Sequence, residues 1–160
     1  MPELKLTLPD GLVQLSFAVQ SAIGRVAEGH DLSLPQVRLL GILRDREPAM
    51  LAVATFLNLD KSSVTGLVDR AERRGLVRRT TTAEDRRTVR VALTDRGRRL
   101  TQKLGTQVER ELSLLVRGLS AVDRRRLLAI ASRIVVDDAQ RRFGGTTKPP
   151  PKRRPPGGPA

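Results

Sequence analysis

Between Asp60 and Leu93 the apolar residues change period once, and that change limits the folds open to the chain. Val64, Leu67, Val68 and Ala71 follow the i, i+3, i+4, i+7 spacing of one helix face, predicting a helix over about 61–74. Asp60 is suited to cap its start and Gly75 to stop it. Ser62, Thr65, Gly66, Asp69, Arg70 and Arg73 then fall on the opposite face. A mid-helix Gly66 costs about 1 kcal/mol relative to Ala, which on an exposed face suggests close approach of another molecule. Beyond Gly75 the period becomes two. Val89, Val91 and Leu93 alternate with Thr88, Arg90 and Ala92, as in a half-buried strand. Its predicted mate is about 76–81, and the polar connection 82–87 makes the pair a β-hairpin with Arg86 and Arg87 at its tip.

The flanking segments read as helices. Residues 9–28 place Leu12, Leu15, Val19, Ala22, Ile23 and Val26 at helical spacing behind Pro9, whose missing N–H is harmless in a first turn. Gly29 and His30 break this helix, and Ser33 caps a second, about 34–44, with Val37, Leu40 and Leu43 on one face. A short apolar helix, Met50–Leu57, follows Pro48 and ends at Asn58, which tolerates the left-handed conformation of a tight turn. Thr94 caps a long helix, about 95–118, striped by Leu100, Leu104, Val108, Leu112, Leu115 and Leu119. Ser120, with Asp123 three residues on, opens the last helix, whose stripe is Leu127, Leu128, Ala131, Ile134 and Val135. The only aromatics are Phe17, Phe56 and Phe143, so the core must be aliphatic. Leucine-striped helices at both ends of a small domain offer more apolar face than one core needs, which points to dimerisation through them.

Charge is concentrated in the same region as the change of period. The 160 residues carry a net +13, of which residues 61–99 hold +7, whereas residues 1–60 are net −2. An excess of this size calls for an anionic partner. Twenty-five of the thirty basic residues are Arg, whose planar fork suits phosphate and guanine edges, although a GC-rich genome gives the same bias. The last seventeen residues, 144–160, hold six of the ten prolines and only basic charge, the composition of a disordered, polyproline-like tail. Lys148, Lys152, Arg153 and Arg154 make it either a non-specific DNA contact or a solvated appendage.

Several classes of function are disfavoured. With no cysteine there are no disulfides, thiolate metal sites or thiol redox sensing, and the single His30 cannot build a multi-histidine metal site. There is no Ser–His–Asp set that His30 would complete, no Gly-rich phosphate loop and no paired metal carboxylates. No catalytic residue, metal or cofactor is therefore expected, and the chain is read as a non-enzyme. No run approaches eighteen apolar residues and the first residues, with Glu3 and Asp10, lack a leader pattern. A cytoplasmic protein with no membrane partner is expected. His30 is read as a surface turn residue rather than a sensor, since no partner for it is visible in the sequence.

Short helix, tight turn, basic polar-faced helix and Arg-tipped hairpin spell a winged helix-turn-helix, a mainly α fold with a small β wing. Its second helix would lie in the major groove with Lys61, Ser62, Ser63, Thr65, Gly66 and Arg70 near bases or phosphates. Its N-terminal dipole would favour a phosphate near Lys61–Ser63. A wing arginine suits the narrow, electronegative minor groove. Residues 61–99 contain no aromatic on which single-stranded bases could stack, which favours duplex DNA.

From about residue 8 to 137 the chain resembles the MarR family of transcriptional regulators, most diagnostically in DKSSVTGLVDRAERRGLVRR at 60–79 and EDRRTVRVALTDRGRRL at 84–100. Asp85, Arg87, Val91, Leu93, Thr94 and Gly97 carry the family's wing-and-next-helix pattern. The resemblance implies that Arg87 is the wing-tip minor-groove residue, held in place by Asp85, and that Ser62, Ser63, Thr65 and Gly66 face the major groove. It implies a homodimer reading a pseudo-palindromic operator, with a DNA-binding lobe at about 33–94 and dimerisation helices at about 9–28 and 95–138 of a 1–143 domain. A repressor is expected rather than an activator, because steric occlusion requires least, and the resemblance implies that a small, often anionic or phenolic effector could bind between dimerisation helices and lobe.

Simpler readings stand beside these. Ser62 and Ser63 would serve equally to support the helix start, and Asp69, Glu72, Arg70 and Arg73 to pair along a solvated helix face. The same charge would suit a sequence-indifferent, architectural DNA-binding protein.

Overall fold

The computed structural model describes residues 5–81 and 87–143; the tail 144–160 and the wing-tip residues Asp85 and Arg86 lie outside them. The chain forms two compact units, Met1–Gly118 and Leu119–Ala160. The first holds α1 (Leu8–Glu28), α2 (Leu34–Leu43), α3 (Met50–Leu57), α4 (Lys61–Arg73), β1 (Val77–Thr80), β2 (Arg90–Leu93) and α5 (Asp95–Leu115); the second holds α6 (Ala121–Phe143). The helix–turn–helix–hairpin order is that of a winged helix-turn-helix.

Each boundary has a local cause. Ser33 and Gln36 close a reciprocal capping box at α2, in which each side chain takes the other's backbone N–H. Asn58 ends α3 in the left-handed region, at φ 54°. Asp60 caps α4 by accepting from the Ser63 amide at 2.9 Å, and Gly75 leaves the helix at φ +66°. Ser120 accepts from the Asp123 amide at 3.1 Å at the head of α6.

The core is aliphatic, as the scarcity of aromatics requires. Leu39 and Leu40 of α2, Val53 of α3, Val64, Leu67 and Val68 of α4, Leu76, and Val77 and Val91 of the hairpin are fully buried. The predicted stripe of α4, Val64–Leu67–Val68–Ala71, is buried throughout. The stripe of α1 is not. Ala22, Val26 and Ala27 join the core, while Leu12 and Leu15 remain 49% and 44% exposed. Helix α6 leaves Leu127, Leu128, Ile130, Ile134, Val135 and Val136 exposed.

The hairpin departs from the expected alternation. Strand β2 pairs antiparallel with β1 in the register Val77↔Leu93, Arg78↔Ala92, Arg79↔Val91, Thr80↔Arg90. Its other edge is taken by the segment before α3: the Met50 amide donates to the Val89 carbonyl at 3.1 Å and the Val91 amide to the Pro48 carbonyl at 3.0 Å. Ala92, expected outside, is fully buried, because β2 lies against α2 as well as α5. Val89, expected inside, is 37% exposed. The strands are also shorter than the sequence implies, and α5 stops at Leu115 rather than about 118.

Candidate nucleic-acid interface

The basic face of α4 is built from its cap outward. The Asp60 carboxylate accepts from the hydroxyls of Ser62 and Ser63, each at 2.5 Å, as well as from the Ser63 amide. These donors, Ser62 foremost, hold the Asp60 carboxyl well below the usual carboxylate range, so it stays charged at the helix N-terminus. Thr65 turns its hydroxyl back to the Lys61 carbonyl at 2.9 Å. All three hydroxyls assigned to the major groove are therefore engaged within α4's own first turns. They can donate to a phosphate or a base acceptor only by exchanging these partners, although each oxygen can still accept from a base amino group, and a phosphate near Lys61–Ser63 would first meet Asp60.

Further along, a Cβ added at Gly66 would meet only the Arg70 guanidinium, at 3.4 Å. No packing within the described residues accounts for a glycine there. Asp69 and Glu72, for which pairing with the helix's own arginines was the simpler alternative, both take Arg79 of β1. Its guanidinium donates to Asp69 at 2.5 Å and to Glu72, and its backbone amide reaches Glu72 at 3.1 Å. Among the described residues Arg70 and Arg73 have no acidic partner, so α4 presents Lys61, Arg70 and Arg73 as unneutralised charge. Sequence reasoning missed Arg79, whose only signal was its inward position on a strand beside the helix that carries Asp69 and Glu72.

The wing residue Arg87 is exposed in the turn leading into β2. Asp85 and Arg86, its expected neighbours in the site, fall outside the described residues. The hairpin base is tied to the scaffold by Thr94, which donates to the Gly75 carbonyl at 2.6 Å and accepts from the Gly97 amide at 3.0 Å. Gly97 has a strict reason to be glycine: a Cβ there would lie 1.9 Å from the Leu76 carbonyl oxygen.

Two expectations about small molecules can be set beside the structure. A shallow, open groove of about 370 Å³ lies on α2 and α3, lined by Arg38, Gly41, Ile42, Arg46 and Phe56, with the Arg46 guanidinium 5.1 Å from the centre of the Phe56 ring. This groove lies within the first unit. Among the described residues no cluster of His, Asp and Glu could hold a metal ion, and no helix is long and apolar enough to cross a membrane. His30, read as partnerless, has one: its Nε2 lies 2.6 Å from Oε1 of Gln107 on α5.

The comparisons with known proteins agree with this geometry. A family model described as the MarR family matches residues 30–88. The uncharacterized HTH-type transcriptional regulator YfiV of Bacillus subtilis is 31% identical over 111 residues, which span 65% of this chain and 69% of that protein. The chain belongs to the MarR family. It is a DNA-binding transcriptional regulator with that family's winged helix-turn-helix fold. The MarR chain is similar in fold to the Staphylococcus aureus MepR–DNA complex, with a TM-score of 0.69 and 20% identity, covering 83% of this chain and 99% of that one. It is similarly close to NadR in complex with 4-hydroxyphenylacetate, with a TM-score of 0.69 and 21% identity over 84% of this chain and 96% of that one.

Proposed function

We propose that the chain is a homodimeric, sequence-specific repressor that reads a pseudo-palindromic operator in double-stranded DNA and acts in the cytoplasm as a regulator rather than an enzyme. Lys61, Ser62, Ser63, Thr65, Gly66 and Arg70 of α4 enter the major groove of each half-site. Arg87, with Arg86 beside it and Asp85 orienting it, enters the flanking minor groove. The observation that carries this reading is the division of charge on α4: Arg79 neutralises its acids and leaves its arginines for a phosphate or a base edge. The likeness in fold to a DNA-bound MepR supports it.

The homodimer is supported by the apolar surface left bare on α1 and α6, which a second copy would cover. The DNA-binding lobe is residues 33–94, and the dimerisation helices are 9–28 and 95–138 of a 1–143 domain. A small effector relieves repression, as the ligand-bound NadR suggests by its fold. It would do so by changing the spacing of the two α4 helices.

The test is selection from random duplex DNA with the full chain at about 50 and 200 mM salt, the range over which purely phosphate-driven contacts weaken steeply. A two-fold-symmetric motif surviving at the higher salt, preferred by about 10³-fold or more over random DNA, is expected. Uniform loss of binding as salt rises, with no motif, would hand the function to architectural DNA binding.

A further inference from the structure

The C-terminal end of α4 is bound to a turn 43 residues away. Arg74, the residue after the helix, donates through its guanidinium fork to two successive carbonyls of the turn between α1 and α2: His30 at 3.2 Å and Asp31 at 2.5 Å. The same turn is held to α5 by the contact between the half-buried His30 imidazole and Gln107. It is closed on α1 by the Leu32 amide donating to the Ala27 carbonyl at 2.9 Å. Asp31 occupies the left-handed region at φ 53°, a conformation unfavourable for a side chain with a Cβ, which persists where its surroundings over-determine it. One helical turn along α5 from Gln107, Glu111 pairs with Arg25 of α1 at 3.0 Å. A chain of contacts therefore runs from α5 through His30 and its backbone in the α1–α2 turn to Arg74 at the end of α4, all within the first unit.

We propose that Gln107, His30 and Arg74 are positioning residues that form a strut from α5 to α4 and thereby set which half-site spacing the dimer accepts. The consequence for spacing rests on the operator-reading function above; the strut itself does not. Base readout needs hydrogen-bond geometry held within a few tenths of an ångström. A residue that touches no DNA but holds the end of the reading helix therefore selects among operators. Arg suits the post because its planar fork can span two carbonyls, and because a cation at a helix C-terminus is favoured by the helix dipole.

Two measurements separate the strut from the operator reading. The first needs no DNA: amide hydrogen exchange at residues 70–76 in Gln107→Ala and in the wild-type chain. Faster exchange at the end of α4, distant in sequence from the substitution, is expected. Unchanged exchange overturns the strut, whatever the chain does with DNA. The second uses the palindromic duplex recovered by selection, resynthesised with its half-sites moved one or two base pairs closer or further apart. In Gln107→Ala and Arg74→Met the preferred spacing should lose about 3- to 30-fold in affinity and the preference among spacings should flatten, while affinity for random DNA stays the same. Arg74→Lys, which keeps the charge and can still donate to a carbonyl, should recover part of the preference. Equal loss on every duplex, random DNA included, would make Arg74 a phosphate contact and overturn its positioning role. A wild-type chain indifferent to spacing would overturn the operator reading and the spacing consequence, leaving the strut to be judged by exchange alone.

Discussion

The two ends of α4 are held in opposite ways. At the C-terminal end, Arg74 grips the α1–α2 turn, Thr94 takes the carbonyl of Gly75, and Leu76 is packed against Gly97 of α5 with no room for a methyl group. At the N-terminal end, Asp60, Ser62, Ser63 and Thr65 bond only to one another and to the helix's own backbone. The N-terminal end is free only in its polar groups, since Val64 and Leu67 are buried in the core, and it presents those groups without ordering the rest of the fold around them. Substitutions that displace the fastened end should therefore change stability or the setting of the helix, and substitutions of exposed groups should change binding directly.

Gly97→Ala is the largest expected break. Its Cβ would meet a backbone carbonyl, which cannot rotate away as a side chain can, so the start of α5 would have to move off the α4–β1 turn. Overpacking of this kind commonly costs about 1–3 kcal/mol and occasionally more. The fixed backbone neighbour argues for about 3 kcal/mol or more, read as a lower urea midpoint at unchanged slope. A midpoint equal to wild type would mean that the contact of Leu76 with Gly97 relaxes freely and the end is not fastened there.

Next come the charges on the exposed face of α4 and on the wing. Arg87→Ala and Arg70→Ala should each weaken binding to the selected duplex by about 1–3 kcal/mol, the range of a base-reading contact, and Arg70→Ala should do so with the urea midpoint unchanged. Loss for Arg87 alone would place the reading in the wing; loss for Arg70 alone would place it on the helix face.

How much of this contrast was legible in the sequence follows from how far apart the contacting residues lie. The buried stripe of α4, its Asp60 cap, the Asn58 turn and the Gly75 stop are local, and a period of 3.6 with its punctuation suffices to read them. The inside-out placement of Ala92 and Val89 was not legible, because the edge formed by Pro48–Met50 comes from forty residues away and leaves no period of its own. The diversion of Asp69 and Glu72 to Arg79 depends on where β1 crosses α4, which neither segment encodes alone. His30 looked partnerless for the same reason, its contact lying 77 residues on. Ser62 and Ser63 were ambiguous between cap and groove, and their bonds to Asp60 give the free chain the first role while leaving the second open to exchange.

Gly66→Ala tests the exposed face of α4 from the other direction. No internal packing needs the glycine, and an added Cβ would only touch the mobile end of Arg70. The substitution should raise stability by about 1 kcal/mol through helix propensity. If DNA approaches this face closely, the same methyl group should weaken operator binding. Opposite signs in the two measurements are the expected result. Higher stability with undiminished affinity would show that nothing approaches Gly66.

The smallest effect belongs to the cap. Asp60 has its pKa lowered by the hydroxyls of Ser62 and Ser63, and then by the Ser63 amide. Because the folded value lies below the unfolded one, near about 3.9, its contribution to stability is complete above about pH 4 and is lost as the pH falls through the folded value. Asp60→Asn keeps a good cap, since Asn accepts from the same amide, but does not titrate. Its urea midpoint should lie slightly below wild type at pH 7, where only the carboxylate carries the charge-dependent contribution, and the two should converge as the pH falls below about 4. On DNA the same change removes a negative charge from the end of the helix that a phosphate would approach. Affinity should therefore rise on operator and random duplex alike, most at low salt where the Debye length is long, with the ratio between them unchanged. A changed ratio would mean that Asp60 governs base readout, and that the free end is arranged by its cap for a particular sequence.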